Sequence, residues 1–94
     1  MIIDSNVENI KRAAEEILAG EIVAFPTETV YGLGADGLNP TAVAKIFEAK
    51  QRPSFNPLIL HIASRDQLKE LVEIENDKIY KLINVFWPGP LTLV

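Results

Sequence analysis

A short apolar run at residues 22–25, Ile-Val-Ala-Phe, stops at Pro26 and passes into Thr27-Glu28-Thr29-Val30-Tyr31-Gly32-Leu33-Gly34. No other junction constrains the fold of the chain as strongly. A continuous apolar run reads as a strand covered on both faces, and a hydroxyl-rich, glycine-punctuated exit reads as a loop that builds a binding floor. Open α/β sheets hold ligands outside the carboxyl ends of their strands, where Thr27, Thr29 and Tyr31 would offer hydroxyls. The same residues also suit an ordinary turn whose hydroxyls are satisfied locally.

Upstream, Ser5 and Glu8 have the spacing with which a helix start satisfies two orphan amides. Val7, Ile10, Ala14, Ile17 and Leu18 then recur at three and four residues, predicting a helix with one apolar face that ends at Gly20. Asn39-Pro40 suits an N-cap and first helical position, opening a second helix with Val43, Ile46 and Phe47 as its apolar stripe. Lys50 continues that stripe and is predicted to turn toward the body of the protein, at the helix end where its charge suits the dipole. Residues 58–62 read as a second buried strand. Ser64 and Gln67 form another capping box before a third helix, and Asp77 opens a fourth that Trp87-Pro88-Gly89-Pro90 stops. Residues 91–94, Leu-Thr-Leu-Val, begin a further strand. This alternation predicts an α/β fold with crossover helices. The terminal apolar run has no turn or cap to finish it, so the chain reads as a truncated domain whose unfinished sheet edge invites self-association.

At 94 residues, 48% of them hydrophobic, one domain is the most the chain holds. A formal net charge of −4 disfavours a globally basic nucleic-acid binder. Without cysteine there is no disulfide framework, thiolate nucleophile or Cys-ligated metal, and His61 is the single histidine. Histidine-based nucleophilic catalysis and a protein-held zinc site are correspondingly disfavoured. The charged N-terminus and the lack of a long apolar segment predict a soluble, cytoplasmic protein.

Gly32-x-Gly34 lacks the third glycine of a dinucleotide fingerprint, and no P-loop pattern occurs. Chemistry by positioning and charge remains. Lys45, Lys50, Arg52 and Arg65 face only Glu48 among acids between positions 45 and 65, which suits an anion site for a triphosphate or a carboxylate. As helix-end charges, Lys50 and Arg52 would equally serve solubility. His61 shares a strand face with Ile59 and reads either as a core histidine donating to a carbonyl or as a substrate contact near the strand's end. Glu28 reads as a base or as a solvated carboxylate, and Trp87 as a packing residue.

Four motifs, PTETVYGLG at 26–34, KQRP at 50–53, NPL at 56–58 and WPGPLT at 87–92, follow one another as they do in the YrdC-like family of threonylcarbamoyl-AMP synthases. From its first helix onward the chain resembles that family. The resemblance implies an open, twisted sheet around a large concave cavity, with residues 1–94 as the N-terminal part of a single domain. It also implies a nucleotidyltransferase that makes threonylcarbamoyl-AMP and pyrophosphate from ATP, L-threonine and bicarbonate, for tRNA modification. Carried over, Lys50 and Arg52 are catalytic cations that also bind ATP, Ser54 and Asn56 are further ATP contacts, and Thr27, Tyr31 and His61 contact L-threonine. Mg²⁺ would be carried on ATP, with no metal site in the protein. The implied partners are tRNA or double-stranded RNA and downstream tRNA-modification proteins, with no membrane. The family's later serine-x-asparagine motif, which helps close the cavity, has no counterpart here. Two other classes share features of the same pattern: a double-stranded RNA or tRNA-binding module, and a carbamoyl-transfer domain of a hydrogenase-maturation protein.

Overall fold

Helix α1, Val7–Leu18, begins one residue later than the Ser5–Glu8 spacing predicts. Asn6 is the N-cap, its side-chain oxygen accepting from the Asn9 amide at 2.9 Å, and the Asn9 side chain donates back to the Asp4 carbonyl at 2.7 Å. Asn6 thus takes the N-cap role expected of Ser5, but without the reciprocal half of a capping box, since the Asn6 amide donates to the Asp4 carbonyl at 3.1 Å. Glu8 falls in the first turn, at the positive end of the helix dipole. In the computed structural model, residues 2–51 and 57–94 are described. They fall into two compact units, one ending at Leu60 and the other spanning His61–Val94.

The end of α1 is as predicted. Gly20 takes φ 90°, its amide donates to the Ile17 carbonyl and the Glu21 amide to Glu16, each at 3.0 Å. This crossed pair is a Schellman cap, and its left-handed position favours a residue without Cβ.

β1, Val23–Pro26, pairs antiparallel with β2, Tyr31–Gly34, so that Val23 faces Gly34, Ala24 Leu33, Phe25 Gly32 and Pro26 Tyr31. Two expectations change here. The segment through Gly34 is not all loop but a hairpin joined by residues 27–30, and the first strand is not covered on both faces, since Ala24, Phe25 and Pro26 are exposed. Pro26 sits at the last pair of the ladder, where a missing N–H costs least. The ring of Phe25 lies across both glycines of β2: a Cβ on Gly32 would stand 3.0 Å from Phe25 Cε2, and one on Gly34 2.8 Å from Cε1. Bare backbone on β2 is therefore the seat of an aromatic ring from β1.

α2 spans Pro40–Lys50, with Asn39 accepting from the amides of Thr41 and Ala42 at 3.1 and 3.2 Å and Pro40 in the first turn. Ala42 and Ile46, one helical turn apart, are buried and form the core of the first unit. Gln51 ends the helix at φ 52°.

In the second unit the predicted third helix is a short 3₁₀ segment, Arg65–Glu70. Gln67 Oε1 accepts from the Ser64 amide at 3.2 Å and from Ala63 at 2.6 Å, so the predicted capping interaction forms even though the helix stays tight and short. α3, Asp77–Phe86, is capped by Asn76, which accepts from the Lys78 amide at 2.9 Å. Ile83 on α3 is 1% exposed, a burial worth about 1.5–3 kcal/mol. Beyond the helix, Trp87 Nε1 donates to the Leu91 carbonyl at 2.9 Å, the packing role expected of it.

Helices and a sheet are both present, as an α/β fold requires. Among the described residues, however, the sheet is the β1–β2 hairpin alone. Residues 58–62 and 91–94, read as strands, carry no ladder. An apolar run becomes a strand only with an edge to bond to, and the described residues supply none for these two.

Candidate functional site at the hairpin tip and the end of helix α2

The hairpin folds back on itself at residues 27–30, which brings two candidates to the ends of one loop. Thr27 Oγ1 donates to the Val30 carbonyl and accepts from the Thr29 amide at 3.3 Å. Its single proton is thus committed to closing the loop. A hydroxyl has two lone pairs, and the remaining one can accept from an ammonium or a hydroxyl. Tyr31 begins β2, opposite Pro26, and is 76% exposed. Together they present an acceptor and an exposed amphipathic ring at the tip. Glu28 and Thr29 are exposed beside them.

Lys50 is the last residue of α2 and is exposed rather than turned into the body of the protein. The apolar stripe through Ile46 ends a turn earlier, and a long cationic side chain at a helix terminus is better solvated than buried. An exposed ammonium there is a mobile point charge, the form in which lysine meets phosphate. Arg52, Ser54 and Asn56 lie outside the described residues. His61 is exposed and belongs to the second unit, whereas Thr27, Tyr31 and Lys50 belong to the first.

Two of the four cations grouped by the sequence have other tasks. Lys45 donates to the Gly20 carbonyl at 2.9 Å and pairs with Glu21 at 3.6 Å. Arg65 donates to Asn84 Oδ1 at 2.5 Å. Neither is held ready for an anion. A depression of about 410 Å³ in the second unit, lined by Arg65, Leu68, Val72, Ile74, Tyr80 and Ile83 among others, includes one of the four grouped cations but none of Thr27, Tyr31, Lys50 and His61.

Sequence reasoning missed the seat of Phe25 and the tie through Lys45. The first carried a signal: glycine at two alternate positions following an aromatic is the pattern of a ring laid over a bare strand face. The second carried none, because Lys45 and Gly20 are 25 residues apart.

Residues 15–94 match the Sua5_yciO_yrdC family model, described as telomere recombination. The chain belongs to the Sua5/YciO/YrdC family. Three curated Sua5/YciO/YrdC relatives are named threonylcarbamoyl-AMP synthase. That of Pyrococcus abyssi is 58% identical over 85 residues, covering 90% of this chain and 25% of the relative. That of Bacillus subtilis is 52% identical over 92 residues, covering 98% and 27%. That of Schizosaccharomyces pombe is 48% identical over 91 residues, covering 77% and 22%. Among solved Sua5/YciO/YrdC structures, P. abyssi Sua5 complexed with L-threonine aligns with a TM-score of 0.81 and 50% identity, over 93% of this chain and 26% of that one. A doubly alanine-substituted P. abyssi Sua5 aligns with a TM-score of 0.82 and 52% identity, over 90% and 26%. The chain spans about a quarter of the length of these relatives. Membership in Sua5/YciO/YrdC bears out the resemblance carried by the four motifs.

Proposed function

We propose that residues 1–94 are the N-terminal part of a single threonylcarbamoyl-AMP synthase domain and supply its L-threonine side. The observation that supports this most directly is the alignment, over 93% of the chain at 50% identity, with a Sua5 complexed with L-threonine. Thr27 and Tyr31 are the L-threonine contacts at the hairpin tip, with His61 as a third. Lys50 and Arg52 are the catalytic cations and bind ATP together with Ser54 and Asn56.

The reaction joins ATP, L-threonine and bicarbonate. Bicarbonate and the threonine amine form the C–N bond of a carbamate with loss of water; a carbamate oxygen then attacks the α-phosphorus of ATP, one P–O bond forms, and the P–O bond to pyrophosphate breaks. Charge accumulates on the phosphates and on the leaving group, and in this reading Lys50 and Arg52 stabilise it electrostatically, without a covalent enzyme intermediate. Mg²⁺ enters as part of the substrate, on the ATP phosphates. The product serves tRNA modification, with tRNA and its modifying proteins as downstream partners. A cytoplasmic setting fits a chain in which no described helix is long and apolar enough to cross a membrane.

Mass spectrometry of this chain joined to the remainder of a Sua5 domain, incubated with ATP, Mg²⁺, bicarbonate and L-threonine, tests the catalytic half of this reading. Threonylcarbamoyl-AMP is expected, and L-serine, which lacks one methyl, should react about 10–200-fold more slowly. Lys50→Ala should lower the rate by about 10²-fold or more. No threonine-dependent product, or an unchanged rate in Lys50→Ala, would overturn it.

A further inference from the structure

Helix α2 meets the corner between α1 and β1 at two points, and both involve Gly20. Asn39 Nδ2, from the residue that caps α2, stands 3.3 Å from where a Cβ on Gly20 would be. Lys45 Nζ donates to the Gly20 carbonyl at 2.9 Å in a partly buried hydrogen bond that spans 25 residues of chain. Lys45 also faces Glu21 at 3.6 Å, but those side chains are 39% and 55% exposed, and an ion pair so exposed holds little by itself. The bond to the carbonyl is the directional contact. A cationic donor on a carbonyl is stronger than a neutral one, and the Schellman cap fixes that carbonyl in place.

The corner and the helix each lead to one half of the candidate site. Three residues beyond Gly20 the chain enters β1 at Val23, which runs to the loop carrying Thr27 and Tyr31. Five residues beyond Lys45, α2 ends at Lys50. A paired hairpin and a helix are both stiff over such lengths, so an angle set where they meet is carried to their ends. The Lys45 bond is made at that meeting point.

We propose that Lys45 is a positioning residue: through the Gly20 carbonyl it sets where the hairpin tip with Thr27 and Tyr31 stands relative to Lys50. Its functional meaning rests on the synthase reading, in which these are the amino-acid side and the phosphate side of one site. Lys45 is then no part of an anion site, and its charge serves geometry. A displacement of about 1 Å between such groups can cost 10²-fold in rate, so a tie of this kind is felt in binding and turnover as well as in stability.

The chain has no cysteine, so Thr29→Cys and Ala49→Cys, both at exposed positions, place a pair of nitroxide labels on the hairpin loop and near the end of α2 without background. Pulsed electron–electron resonance then reads the distance between them, and L-threonine titration of the unlabelled proteins reads affinity. With Lys45 intact, one narrow distance distribution is expected. Lys45→Met should broaden or displace it and weaken L-threonine binding up to about tenfold, as for a lost charge-assisted hydrogen bond. Lys45→Arg, which keeps a cationic donor, should restore both, and Glu21→Gln, which removes only the ion pair, should leave both unchanged. If Lys45→Met loses its helical circular dichroism, Lys45→Gln takes its place. An unaltered distance distribution overturns the proposal, as does a broadened one with unchanged threonine affinity. If the unsubstituted chain does not bind L-threonine, it is the synthase reading that fails, and the distance measurement decides the role of Lys45 by itself.

Discussion

Phe25 shows how one side chain gives two glycines their reason. With a Cβ on residue 34 only 2.8 Å from Phe25 Cε1, the ring must move or the strands must part. Gly34→Ala should therefore displace the ring and destabilise the chain by up to about 1 kcal/mol in urea denaturation. Phe25→Ala on top of it should cost less than the sum of the two, because the clash disappears with the ring. Strict additivity would show that the ring and the glycines are independent. Gly20 was legible in the sequence because a cap is a local device: the residues that need it lie within one turn. The opposing partner of Gly34 was not, since it is fixed only by the pairing register. Lys45 and Lys50 divide in the same way. Both read as members of one cationic group, but what Lys45 touches depends on residues far away in sequence, and the stripe extrapolated through Lys50 ends before reaching it.

At the scale of elements, the caps carry the clearest tests. Asn39 accepts from two amides at the start of α2, and Asn39→Ala should cost about 1 kcal/mol with a loss of helical circular dichroism. For α1 the contrast between neighbours is the sharper test. Asn6→Ala should cost about 1 kcal/mol, while Ser5→Ala should fall within about 0.5 kcal/mol of the parent. The reverse order would restore the Ser5–Glu8 box and contradict the Asn6 cap. Helices α1, α2 and α3 were legible because period and capping are written in contiguous residues, with an error of one residue at the start of α1 alone. β2 was not, because its alternate glycines weaken the strand pattern that Tyr31 and Leu33 begin. Residues 58–62 and 91–94 were read as strands on composition alone, and composition does not supply a partner edge.

For the whole molecule, burial is sparse. Among the described residues the buried hydrophobics are Ala42, Ile46 and Ile83, while Val7 is 86% and Leu18 77% exposed. Apolar surface that stays in water when the chain is folded contributes nothing to the heat capacity of unfolding. Calorimetry should accordingly give a ΔCp well below the roughly 1.2 kcal/mol/K ordinary for a 94-residue domain. A full value would show that these faces are covered in solution. The candidate site divides along similar lines. Thr27 and Tyr31 were legible as neighbouring hydroxyls because one short segment carries them, though not as the two ends of a hairpin loop; their part in an L-threonine site, like that of His61 in the other compact unit, rests on family resemblance.

On the proposed reading, the tip of the β1–β2 hairpin binds L-threonine. Titrating the isotope-labelled chain with L-threonine, followed by amide chemical shifts and repeated for Thr27→Ala, tests it most directly. Saturable shifts concentrated at residues 27–31, weaker for L-serine and lost in Thr27→Ala, are the predicted result. Saturable shifts that leave the hairpin tip untouched, or an affinity indifferent to Thr27→Ala, would contradict it.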